Sequence, residues 1–306
     1  MNCLALKIDV DTLRGTLEGV PALVSLLQKH HAQATFLFSL GPDNTGRALR
    51  RVFRPGFLKK VLRTNVAGNY GLKTLIYGTL IPGPDIGRRG AAIMRAVRDA
   101  GFEVGIHTWD HIRWQDFVAR RGAEWTAREF NKAVQRFSEI FGFMPKTFGA
   151  AGWQINAHVL ALQEQFRFDY ASDTRGTEPF LPRMGGRTFA VPQLPSTLPT
   201  LDELVGTNGI TVENAADHLL KLTESAPPHD HIYTLHAELE GMALMPVFEK
   251  LLSGWKAQGY ELATIGDVAA KLNRESLPVH EVVMGEIPGR SGTLAVQGPL
   301  MSPARV

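Results

Sequence analysis

Two acids end the first apolar run of the chain. In Lys7-Ile8-Asp9-Val10-Asp11 the carboxylates are two residues apart, and in an extended strand that spacing points side chains to the same side. Asp9 and Asp11 can therefore face one site, although an aspartate-rich turn at a strand end has the same composition. A second group, His107-Thr108-Trp109-Asp110-His111, again stands where an apolar run stops. One helical turn brings imidazoles four residues apart onto one side, where both can bind one metal ion; the same spacing also serves structural histidines. With one of the early aspartates the pair makes an Asp-His-His set, three protein ligands that leave a position open for water, as a catalytic metal centre requires. The third group is His236, which follows the run 232–235 and on its own reads equally as a core histidine bonded to a backbone carbonyl. Placement argues for the functional alternative. Asp9, Asp11, His107, Asp173 and His236 all fall where strands run out, the edge on which parallel barrels assemble their sites. His229 and His231 precede the last of those strands, which puts them near the opposite rim.

The elements that must position these residues follow from the pattern. Short β-rich runs at 3–8, 34–40, 102–107, 146–149, 166–171, 188–191, 230–236 and 261–264 alternate with amphipathic stretches, the signature of parallel strands covered by helices. Phe130, Val134, Phe137 and Phe141 recur at helical spacing and give one such helix an apolar face. This predicts a single α/β catalytic domain over 1–274, with a basic insertion at 41–87 after the second strand. The stretch 275–306, rich in Pro and Gly and poor in periodicity, reads as a mobile tail.

Composition excludes several classes. With 306 residues, 44% hydrophobic and 21% charged, the chain is neither disordered nor fibrous. A single cysteine, Cys3, forms no internal disulfide, and Lys7, Asp9 and Asp11 interrupt the apolar run that a signal peptide needs, so a reducing cytosolic location is expected. No run of uncharged apolar residues is long enough to span a bilayer.

Taken in order, these groups resemble the polysaccharide deacetylase family, the NodB-homology amide hydrolases, over most of the first 270 residues. Asp9 and Asp11 resemble its paired-aspartate motif, Ala34-Thr35-Phe36-Leu37-Phe38 its second strand, His107 to His111 its metal motif, and Leu235-His236 its late acid motif. The resemblance implies a distorted (β/α)7, TIM-like barrel holding one divalent metal on Asp11, His107 and His111, with Asp9 as general base and His236 as general acid. Zinc suits a two-histidine, one-carboxylate site, and manganese or cobalt fits the same ligands. The family's third motif carries an arginine that holds the base; the matching stretch here, 148–154, has none. In the fourth motif, 169–176, Asp173 is expected to orient His236 and Arg175 to replace that arginine. Backbone amides of Ala151, Gly152 and Trp153 are the expected oxyanion donors. Trp109, Trp114, Trp153 and Tyr170 are the aromatic candidates for the sugar ring.

Within the family, IDVDTLRGT, HTWDH, GAAGWQ, YASDTRG and TLHAELEG resemble a bacterial subgroup. It removes a formyl group from an amino-arabinose carried on undecaprenyl phosphate at the cytoplasmic face of the inner membrane, a step in lipid A modification and polymyxin resistance. Another N-acylated sugar as substrate, or a non-catalytic binding module on the same fold, are the alternatives. The insertion suits a lipid substrate. From 44 to 84 there is no acid, while Arg47, Arg50, Arg51, Arg54, Lys59, Lys60, Arg63 and Lys73 interleave with apolar residues. Cations with apolar anchors suit an anionic membrane surface and the lipid phosphate. Nucleic acid is not an expected partner, because no binding motif is present and the rest of the chain is net acidic.

Overall fold

The computed structural model describes residues 2–48, 76–224 and 230–301. Its first strand, β1 (Cys3–Val10), is buried along its whole length, and its alternation sorts two environments. Leu4, Leu6, Ile8 and Val10 join the large core beneath the helices, while Cys3 and Ala5 belong to a smaller inner cluster with Tyr170, Leu194, Ile232 and Ala263. Lys7 and Asp9 continue that inner row.

In parallel with β1 run β2 (Thr35–Ser39), β3 (Glu103–Thr108), β4 (Thr147–Phe148) and β5 (Tyr170–Ala171) on one side. Two further strands, β6 (Leu181–Met184) and β7 (Arg187–Thr188), leave this sheet, and β8 (His231–His236) returns to the other side of β1. A last short strand, β9 (Glu261–Ala263), pairs with the beginning of β1. The order β5-β4-β3-β2-β1-β8 leaves a seam between β5 and β8. An irregular segment fills it: Leu194 N–H bonds to Ala171 O (2.8 Å), Ser196 N–H to Thr174 O (3.0 Å), and Thr197 N–H to Ile232 O (3.0 Å). The result is the distorted barrel expected, closed by loop backbone where a regular barrel has a strand. Two expected strands depart: of the run at 166–171 only Tyr170–Ala171 is strand, and of the run at 188–191 only Thr188 is, in the short Arg187–Thr188 strand antiparallel to β6 in a second sheet.

Helices pack outside, beginning with α1 (Val20–Lys29), which follows directly on a π-turn at Gly15–Gly19. Behind the insertion, α2 (Ile86–Asp99) starts where Asp85 accepts Arg88 N–H (2.8 Å). The short α3 (His111–Phe117) carries a metal-motif histidine at its first position, and α4 (Ala123–Phe141) buries Phe130, Val134, Phe137 and Phe141 before Gly142 ends it in the left-handed conformation. The insertion has a defined neck, where Pro42 bridges Asp85 and Asp43 N–H bonds to Pro84 O (2.8 Å). Its central part, 49–75, lies outside the described residues, and with it Arg50, Arg51, Arg54, Lys59, Lys60, Arg63 and Lys73.

The stretch after Arg274 departs from its expected irregular form. It folds into the antiparallel pair β10 (Val279–Glu286) and β11 (Thr293–Leu300), and β10 runs parallel to β6. Composition misleads here because these strands are held by backbone pairing to a segment about a hundred residues away rather than by a strong apolar alternation of their own. Among the described residues no helix is long and apolar enough to cross a membrane.

Candidate metal centre

At the carboxyl edge of the sheet Asp11, His107 and His111 offer ligand atoms that all lie within 4.8 Å of one another. Asp11 Oδ1 is 3.3 Å from His107 Nε2, and Asp11 Oδ2 is 3.4 Å from His111 Nε2. His107 Nδ1 stands 2.6 Å from Gly149 O. A donor is needed there, so the proton resides on Nδ1 and the Nε2 lone pair faces Asp11, the usual way a protein fixes a ligating imidazole. His111 is held by the start of α3, whose cap Asp110 accepts Arg113 N–H (3.0 Å) and Asn44 Nδ2–H (2.6 Å).

Electrostatics and hydrogen bonding both suit a cation. Burial alone would raise the Asp11 carboxyl, but His111 and His107 outweigh it and hold it well below the usual carboxylate range. Burial disfavours a charged His107, yet Asp9 and Asp11 outweigh that and lift its pKa above the ordinary value. The buried Asp9 Oδ1 and Asp11 Oδ1 have no hydrogen-bond partner among the described residues. A carboxylate oxygen of Asp11 left bare beside two imidazoles is what a divalent ion would satisfy, while the bare oxygen of Asp9, outside that ligand set, stays open to a proton.

Two more groups flank the ligands. β1 and β8 are in register so that Asp9 stands opposite His236. His236 is buried; its main-chain N–H bonds to Glu240 Oε2 (2.9 Å), and its ring Nδ1 is without a partner among the described residues. Asp9 Oδ1 is 3.8 Å from His107 Nδ1, and Asp9 Oδ2 is 3.7 Å from Lys7 Nζ. Burial pulls the Lys7 ammonium below its ordinary pKa, against the opposing charges of Asp9 and Asp173.

Three residues here were not singled out from the sequence. Lys7 is a lone cation in an apolar strand, and that contrast was the available signal. Glu238 accepts from Asp11 N–H (3.0 Å), Thr12 N–H (2.8 Å) and the Thr12 hydroxyl (2.8 Å), fixing the turn after β1. Glu240 supports the backbone of His236. Two acids placed just after a strand-end histidine were the only sequence signal for both.

Several expected roles do not match the contacts. Asp173 does not orient His236; its oxygens accept from Ala150 N–H (2.8 Å), Gln163 Nε2 (2.7 Å) and Gln193 Nε2 (3.0 Å), which pins the loop after β4. Arg175 does not hold Asp9, because its guanidinium is committed to Glu203 Oε1 (2.5 Å), Leu198 O (2.9 Å) and Ser196 O (3.3 Å). Tyr170 is buried in the inner cluster with Cys3 and Ala5, and burial and the Glu103 charge raise its hydroxyl well above the usual pKa, so no sugar ring reaches it. The Trp109 ring is engaged by Arg136 (5.2 Å) and Lys132 (5.9 Å) of α4. Trp153 N–H is taken by Ala150 O (3.0 Å), which removes it from the three expected oxyanion donors. Gly152 and Trp153 both have positive φ (59° and 52°), and for a tryptophan that is an uncommon, strained conformation. Arg47 donates through Nε to Gly78 O (2.9 Å) at the neck of the insertion.

The sequence model described as Polysaccharide deacetylase matches residues 3–171. A Shewanella sediminis protein named "Probable 4-deoxy-4-formamido-L-arabinose-phosphoundecaprenol deformylase ArnD" is 39% identical over 301 residues, covering 98% of this chain and 96% of that protein. A Wigglesworthia glossinidia brevipalpis protein with the same name is 34% identical over 285 residues, covering 92% of this chain and 98% of that one. Among solved structures, a Mycobacterium smegmatis protein assigned to the polysaccharide deacetylases superposes with a TM-score of 0.60 at 14% identity, covering 94% of this chain and 96% of that one. The Asp-His-His cluster thus sits inside a stretch that the family itself defines, and the chain belongs to the polysaccharide deacetylase family.

Proposed function

We propose that this protein is a metal-dependent amide hydrolase that removes the formyl group from 4-deoxy-4-formamido-L-arabinose carried on undecaprenyl phosphate. The free amino sugar would serve lipid A modification and resistance to polymyxin and other cationic peptides. The observation that carries the chemistry is the convergence of Asp11, His107 and His111 at the strand ends, with Asp9 and His236 beside them. Near full-length similarity to proteins named for this deformylation supports the substrate.

Asp11, His107 and His111 would hold one divalent ion, with zinc the best match to this ligand set. Such an ion supplies polarisation of the formyl carbonyl and a lowered proton affinity for water bound there. Asp9 takes the proton of the attacking water. The charge that develops on the carbonyl oxygen faces the amides of Ala151 and Gly152, fixed in place by Asp173. His236 gives a proton to the departing nitrogen, so acid and base are separate residues on neighbouring strands. A catalytically dead sugar-binding module would need neither.

The substrate's lipid places the enzyme at a membrane face, on the cytoplasmic side of the inner membrane in this reading. In support, Leu80 is 80% exposed and Ile81 38% exposed beside the basic stretch of the insertion. The deciding experiment is mass analysis of the lipid-linked formamido sugar after incubation with the metal-loaded chain. Loss of the formyl group is expected; an unchanged formamide together with hydrolysis of an acetylated sugar would overturn the substrate.

A further inference from the structure

Lys7 has no exposed surface, yet it carries an amino group into the inner face of the sheet. A leucine or methionine would fill the same volume without desolvating a charge, so the ammonium needs a reason to be there. Its surroundings supply one. Nζ donates to Ser172 O at 2.8 Å, lies 3.7 Å from Asp9 Oδ2, and sits 5.3 Å from the centre of the Trp153 ring. Ser172 is itself tied to the sheet through its N–H to Phe148 O (2.8 Å), so the carbonyl that anchors Lys7 belongs to rigid backbone. The side chain also passes through a slot that exists only because residue 149 is glycine: a Cβ there would stand 3.0 Å from Lys7 Cε and 3.3 Å from Nζ. The carbonyl of that same glycine orients His107. Other nearby groups are occupied, Arg175 by Glu203 and Asp173 by three N–H donors.

We propose that Lys7 is the positioning residue for the general base: anchored on the Ser172 carbonyl and covered by Trp153, it holds one oxygen of Asp9 so that the other is presented to the reacting water. This rests on Asp9 being the base. Residues 7 and 9 share one face of β1, so a single strand supplies the base and the cation that fixes it. Without the ammonium, the Asp9 carboxylate loses the contact on its Oδ2 side and is free to rotate.

The test uses the full metal-loaded chain carrying Lys7→Met, Asp9→Asn or both. For Lys7→Met the expected result is unchanged metal content, unchanged KM and a kcat lowered ~10²-fold, the scale of loss that misplacing a catalytic group brings. A crystal structure of that variant should show the Asp9 carboxylate displaced from its place beside His107. Because Lys7 acts through Asp9, the double variant should be no slower than Asp9→Asn alone. Where Lys7→Met gives no folded chain, Lys7→Gln, which keeps a donor for Ser172, is read in the same way. A kcat close to that of the unsubstituted chain, losses that multiply in the double variant, or an effect confined to KM would each overturn the assignment. The two readings separate cleanly: a near-normal rate for Asp9→Asn removes the base and Lys7 with it, whereas an inactive Asp9→Asn beside a fully active Lys7→Met removes Lys7 alone.

Discussion

Glu240 is a carboxyl with no exposed surface, and burial pushes its pKa up to about 7 against the pull of His236. A raised acid pKa means that the folded chain holds a proton the unfolded chain has already released. Between about 4.5, the unconstrained value, and about 7, stability from this group therefore falls as pH rises. Glu240→Gln removes that slope. The variant should match the parent in thermal unfolding at pH 4 to 5 and gain on it by about 3 kcal/mol at pH 8, the linkage equivalent of the shift. A constant difference across that range would show that the carboxyl is already ionised. The ligand residues invite a different comparison. His107→Ala removes one of three ligands and should lose both metal and turnover, while Asp9→Asn should keep the metal and lose only turnover; elemental analysis beside a deformylation assay distinguishes them. The strand-end aspartates and histidines were legible in the sequence because each interrupts an apolar run. The roles of Lys7 and Glu238 were not, because the groups that meet them, Ser172 O and the amides of Asp11 and Thr12, come from remote parts of the chain; Glu240 meets the His236 amide only four residues away, and what the sequence does not show is its burial.

The hairpin of β10 and β11 closes one wall of the site rather than trailing from it. Arg290, in the turn between the two strands, packs over the Trp153 ring at 4.5 Å and bonds through Nε to Glu203 Oε1 at 2.7 Å. Arg175 approaches the same ring at 5.1 Å and the same carboxylate at 2.5 Å. Two guanidiniums thus share two acids, since Arg290 also reaches Asp202 Oδ1 at 3.4 Å. Removing one leaves a buried excess of negative charge. Arg290→Ala should destabilise the fold by about 3 kcal/mol and lower turnover through Trp153, while Arg290→Lys should recover part of the stability but not the planar packing. Thermal unfolding of the three chains reads this directly, and an Arg290→Ala chain as stable as its parent would show that the hairpin is not part of the wall. The core strands β1, β3 and β8 could be read from sequence because each is a short run rich in apolar and β-branched residues bounded by polar ones, as strands buried on both faces tend to be. The hairpin, β6 and the loop that fills the seam could not, since their partners are remote and their own patterns weak.

At the scale of the whole molecule, the asymmetry of charge meets the asymmetry of exposure. The chain has a net charge of +3, yet 44–84 contains no acid, so the positive surplus belongs to one region and the remainder is net acidic. The described flank of that region leaves Leu80 80% exposed, the kind of apolar anchor that inserts at a bilayer boundary. Association with a membrane would then have two parts that respond differently to the medium. The charged part, about 1 kcal/mol for each cation near an anionic surface, is screened over roughly 8 Å at physiological ionic strength and weakens with added salt. The apolar part is not screened. Sedimentation with vesicles containing anionic phospholipid should therefore decline as salt rises but not vanish, and vesicles of neutral lipid alone should retain less protein throughout. Leu80→Asp, which adds a charge where an anchor stood, should reduce binding at every salt concentration while leaving metal content unchanged, because the anchor lies beyond the neck formed by Pro42 and Asp85. Equal pelleting with anionic and neutral vesicles, unaltered by that substitution, would detach the insertion from the membrane and leave the lipid tail to be met elsewhere on the surface.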